Sequence, residues 1–90
     1  MATLLHEIWH EPSDDSSAGW LPGLCLAGPD GEDFRRSLAA GARQMHTFKA
    51  GSHFEAMTIY RRLMGLEPYT TTNAQDHEPY PEEWAARQRA

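Results

Sequence analysis

Leu4-Leu5-His6-Glu7-Ile8-Trp9-His10 decides how the rest of this chain is read. Leu4, Leu5, Ile8 and Trp9 fit one face of a helix, and they fit equally a strand that runs into a turn. Segment length separates the two. A helix of about eight residues near a chain end is marginal unless it packs well, whereas a strand of that length is ordinary. The next apolar run, Trp20 to Ala27, is bounded by Gly19 and Gly28-Pro29 and reads as a buried strand. The polar stretch from Pro12 to Gly19 between them has strong turn chemistry. The expectation is therefore a strand over Leu4–His10, a loop, and a hairpin partner over Leu21–Ala27.

The same residues carry the sharpest chemical motif in the chain. His6-Glu7-Ile8-Trp9-His10 matches H-E-x-x-H. On a helix, two imidazoles one turn apart clamp a zinc ion, and the Glu activates the bound water. On a strand, the two rings share a face but stand roughly 13 Å apart at the usual rise, too far for one metal. Pro12 follows closely and shortens any helix here. A zinc-dependent hydrolase using His6, Glu7 and His10 is thus the alternative reading, with His46, His53 and His77 as further imidazoles. The leading reading assigns no catalytic residue, no metal and no cofactor.

Further along, Gly51-Ser52-His53-Phe54-Glu55 opens a helix: Ser52 and Glu55 have capping-box spacing. Ala56, Met57, Tyr60, Leu63 and Met64 recur at helical period, and Gly65 stands where a left-handed stop belongs, with Leu66 able to fold back onto Tyr60. Before it, Asp30 reads as an N-cap, with Glu32 and Asp33 in the first turn, Phe34 and Leu38 as an apolar pair, and Gly41 as the stop. Ala42 to Ala50, containing Thr47 and Phe48, reads as a strand. Residues 67–80 form a polar, proline-containing tail that either wraps the domain through Tyr69 and Tyr80 or is mobile. Pro81 to Arg89 reads as a final helix, with Pro and acids at its start, Arg at its end and Trp84 as docking residue. The expected fold is α+β: a three-stranded, mainly antiparallel sheet in ββαβα order with helices on one face, residues 1–66 as one domain, and 67–90 as a tail ending in a short docking helix.

Composition bounds the function. Ninety residues make one domain with a thin core. The net charge of −5, with no basic stripe, disfavours binding to a nucleic-acid backbone. Seven Arg against one Lys reflects codon usage better than bidentate anion binding. Cys25 is the only cysteine, so an internal disulfide and a C-x-x-C site are both excluded, and a reducing compartment is expected. No basic-then-apolar leader is evident, and the most apolar window is too short to span a bilayer.

The candidate binding residues are His46, His53, Glu55, Tyr60 and Trp84. His53 begins the capped helix in line with Ala56, Met57 and Tyr60, and reads as a neutral imidazole at the edge of the core. A pocket pairing it with Glu55 or His46 is the functional option. Met57, Met64 and the three Trp residues read as core, with a partner groove as the second option. Phe48 to Tyr60, Tyr69-Thr70-Thr71 and Pro81-Glu82-Glu83-Trp84 resemble small bacterial proteins of unknown function. The resemblance implies a bacterial cytoplasmic protein and carries over no site residue. The expected function is a non-catalytic protein-interaction or accessory module acting on another protein or on itself as a homodimer, without nucleic acid or membrane.

Overall fold

The computed structural model describes residues 2–90. Strands β1 (Leu4–Pro12), β2 (Trp20–Leu26) and β3 (Arg43–Ala50) form one antiparallel sheet in the order β2-β1-β3. Helices α1 (Glu32–Arg36), α2 (His53–Leu63) and α3 (Glu82–Arg89) complete an α+β fold. The opening segment is a strand, and the first two strands pair as expected, with Glu7 opposite Cys25 and Ile8 opposite Leu24. Between β1 and β3 the register steps from Ile8–His46 to Trp9–Gln44, so Met45 is the extra residue of a bulge.

The alternation of β1 explains its central place. Leu4, His6 and Ile8 point to one face and are buried there. Ala2, Leu4 and Ala85 form the core cluster, with Leu26, Tyr80 and Trp84 packed against it. Leu4 and Ile8 are the largest fully buried side chains, each worth about 1.5–3 kcal/mol of burial. Glu7 and Trp9 point to the other face, where α1 delivers Arg35 to Glu7 and places the ring of Phe34 over Gly23. The helices therefore lie on both faces, not one, because a central strand with half-buried residues on each side needs cover on each side. β2 is correspondingly an edge strand and not a buried one. Trp20 and Leu21 stay 38% and 45% exposed, and Cys25 is its buried residue.

Local signals held where they were chemical. Ser52 Oγ accepts from the Glu55 N–H at 3.1 Å, and Glu55 Oε1 accepts from Gly51 N–H at 2.7 Å. Gly65 has φ 70°, and the Leu66 and Gly65 N–H groups bond the Arg61 and Arg62 carbonyls, a Schellman stop. Leu66 itself remains 48% exposed. Asp30 is not an N-cap: it lies in a 3₁₀ turn (Pro29–Gly31), α1 is only five residues long, and the Asp30 carboxylate instead takes Arg87 of α3 in a two-toothed ion pair.

The C-terminal third wraps the domain. Tyr69 Oη donates to Asp76 at 2.9 Å and its ring meets Phe54. Bridges join Ala2 to Tyr80 and Ser52 to Pro79. Gln88 extends the sheet at the point where β2 leaves it. Its Oε1 accepts from Leu5 N–H at 2.9 Å, and its Nε2 donates to the Leu5 and Ala27 carbonyls at 2.8 and 3.0 Å. No helix among the described residues is long and apolar enough to cross a membrane.

Candidate functional site

The face of β1 that packs against α3 carries a polar group at its centre. His6 is 3% exposed and sits between Leu4 and Ile8 on the strand. Its Nδ1 lies 2.9 Å from the Leu4 carbonyl, which can only accept, so Nδ1 carries the proton. Nε2 is then the acceptor for the Tyr80 hydroxyl at 3.0 Å. The imidazole stacks on Phe48 at 5.1 Å, and the Tyr80 ring leans on Trp84 at 5.8 Å. Burial pushes the His6 imidazole below its ordinary range, against the opposing pull of the Leu4 carbonyl. Burial and the nearby Glu55 charge push the Tyr80 phenol up to about 12. Both groups are therefore neutral near pH 7, held in one arrangement by two hydrogen bonds.

Beside this pair lies a cavity of about 200 Å³, walled by His6, Leu24, Leu26, Ala56 and the rings of Tyr80 and Trp84. His53 stands at its edge and also borders an outer recess of about 400 Å³ that adds Gln75, Glu78, Pro79 and Pro81. His53, Tyr80 and Trp84 border both, so the two lie side by side in one cleft region between α2, the segment before α3, and α3 itself. Its inner part is apolar and aromatic, and its rim carries Glu78.

Among the expected site residues, His53 and Trp84 line this cleft. Glu55 lies within electrostatic reach of His6 and Tyr80 while capping α2 through Gly51. His53 is exposed and meets Tyr69 edge-on at 6.0 Å. Tyr60 is half-buried further along α2 and is not a wall of the cleft. His46 is elsewhere: it lies across from Ile8 on β3, and its charge is felt by His10. His6 and Tyr80 were not among the expected binding residues. The alternation of Leu4, His6 and Ile8 marks His6 as inward-facing, but Tyr80, between two prolines, carries no periodic signal.

Both nitrogens of His6 are occupied. The Cys25 thiol lies with Glu7 and Arg35 on the other face, and burial and then Glu7 push it up to about 11, so it stays protonated. Glu7 accepts from Trp9 Nε1 at 3.0 Å and from Arg35 at 3.1 Å. His6 and Glu7 of the H-E-x-x-H run thus point to opposite faces of a strand, and His10 is stacked on Trp20 at 3.8 Å. Among the described residues no group of three or more His, Cys, Asp and Glu is placed to hold a metal ion. No family model, curated protein or solved structure matches this chain.

Proposed function

We propose that this chain is a non-catalytic protein-interaction module, acting in the bacterial cytoplasm, and that the cleft at His53, Tyr80 and Trp84 receives the partner. The observation that carries this reading is that an apolar inner cavity and a wider outer recess share the same three side chains as walls. Clefts with aromatic walls and a few fixed polar groups are the usual form of a recognition site, and Trp and Tyr are the residues that most often dominate binding energy. The rim favours a partner segment in which an apolar side chain sits beside a basic one: Glu78 borders the recess, the Glu55 charge reaches Tyr80, and the whole chain carries −5.

The thinness of the core supports the same reading. The accessible surface is 5986 Å², against about 5300 Å² for a compact monomer of this mass, so the molecule keeps more surface than its size requires. Selection from a displayed peptide library against the full chain, with counter-selection on Glu78→Lys and Trp84→Ala, tests the proposal. The expected survivors pair an aromatic or aliphatic residue with Arg or Lys and lose binding to both variants. Glu78 is exposed, so its reversal leaves the fold intact. Peptides that bind both variants as well as the parent chain, or no enrichment at all, would overturn it. Light scattering over a concentration series decides whether the partner is a second copy.

A further inference from the structure

At the opposite end of the same sheet face lies a second recess of about 340 Å³, bordered by His10, Pro12, Trp20, Arg43 and Met45. It is unrelated to the His53 cleft and has a different chemistry. Trp20 stacks on His10 with one face, at 3.8 Å and 10° between the ring planes, and remains 38% exposed. Met45, thrown outward by the bulge in β3, is 47% exposed. A flat apolar body thus has one aromatic and one thioether surface to lie against.

Two polar groups at this recess have no partner. Nε2 of His10 is buried without a hydrogen bond among the described residues, and such an atom in a folded chain calls for an explanation. Arg43 sits directly across the ladder from His10 and is exposed. Its guanidinium makes no ion pair or hydrogen bond among the described residues. The one carboxylate at the recess, Glu11, alternates away from His10 along β1, and its Oε2 accepts from Ala39 N–H at 2.7 Å. Burial, and then the positive charge of His46, push His10 below the ordinary imidazole range. The recess therefore offers an unneutralised guanidinium beside an aromatic wall, while His10 Nε2, being buried, is not part of its open surface.

We propose that this recess is a binding site for a small planar carboxylic acid, whose ring lies against Trp20 and Met45 and whose carboxylate is held by Arg43. Arg is the residue suited to a flat carboxylate because its donors form a rigid fork. A ring a few ångströms across fits a recess at the small end of the usual ligand range, about 300–1,000 Å³.

Titration of the ¹⁵N-labelled full chain with benzoate, followed by amide and indole chemical shifts, tests this, with benzylamine and benzyl alcohol as cationic and neutral controls. The expected result is saturable movement of the Trp20 indole and of the Gly19, Gly41 and Met45 amides with benzoate alone. Arg43→Gln is expected to weaken binding about tenfold or more, because it removes the charged donors that hold the carboxylate. Arg43 is exposed, so the variant retains the fold. Absence of saturation with benzoate, equal response to benzylamine or benzyl alcohol, or an Arg43→Gln variant that binds undiminished would each overturn the assignment.

Discussion

His6 and Tyr80 concentrate the residue-scale energetics of this fold. The Tyr80 hydroxyl satisfies Nε2 of a His6 that is only 3% exposed, and an unpaired buried polar group costs about 1–3 kcal/mol. Tyr80→Phe should therefore lower stability by about that amount while leaving the fold and the stack on Phe48 in place, as read by urea unfolding. The same pair makes stability sensitive to acid. In the unfolded chain His6 titrates near 6.5, and in the fold it titrates lower. The unfolded chain then takes up the proton first as pH falls. The contribution of neutral His6 is complete above 6.5 and drains away below it, toward the folded value. His10 is displaced in the same direction and adds to the effect. The urea midpoint should fall between about pH 7.5 and pH 5, and His6→Phe should make that slope shallower. A midpoint that is flat across this range would contradict a neutral buried His6.

At the scale of elements, glycine positions report how closely α1 and the turn before it are pressed onto the sheet. A Cβ built on Gly31 falls 1.9 Å from the Leu26 carbonyl oxygen and 3.0 Å from its carbon. The backbone of Gly31 (φ −102°) suits any residue, so the conflict is purely steric and involves main chain. At Gly23 the nearest atom, 2.4 Å away, is the tip of the Phe34 ring, which can swing aside. Gly31→Ala should cost about 2–3 kcal/mol or more, whereas Gly23→Ala should cost about 1–2 kcal/mol. Thermal unfolding of the two variants in parallel gives the order, and an equal effect would show that α1 is loosely docked. The elements themselves were legible wherever a capping or stop residue spoke locally, as at Ser52, Glu55 and Gly65. They were less legible at Asp30, whose carboxylate had two uses open to it, a helix cap or a distant Arg. The Arg87 pair won because α3 brings a guanidinium across the Pro29–Gly31 turn, a contact 57 residues away.

As a whole the molecule is flat, 40 × 32 × 18 Å, and its core is correspondingly small. The buried apolar residues are mostly alanines, with Leu4 and Ile8 as the large ones. Residues 67–90 are part of that core: Ala85 packs with Ala2 and Leu4, Tyr80 closes over His6, and Gln88 completes the ladder of β1. A fragment of residues 1–66 should consequently fail to fold, showing collapsed amide dispersion and no cooperative transition. A well-dispersed spectrum from that fragment would show that the C-terminal segment merely docks on a finished domain.

Periodicity, capping chemistry and the length of the apolar runs were enough to establish the strands, the capped helix and the α+β class, because each depends on residues within a turn or two of one another. The length of the first apolar run, read as a strand, likewise took His6 and His10 off a shared helical face. Strand order, the cover on the second face, the burial of Tyr80 against His6 and the separation of His46 from His53 came only with folding. They depend on which distant surfaces meet, and many such meetings are compatible with one local pattern. In a core this small, the choice among them rests on a few long-range polar contacts, and those leave no trace in the spacing of residues along the chain.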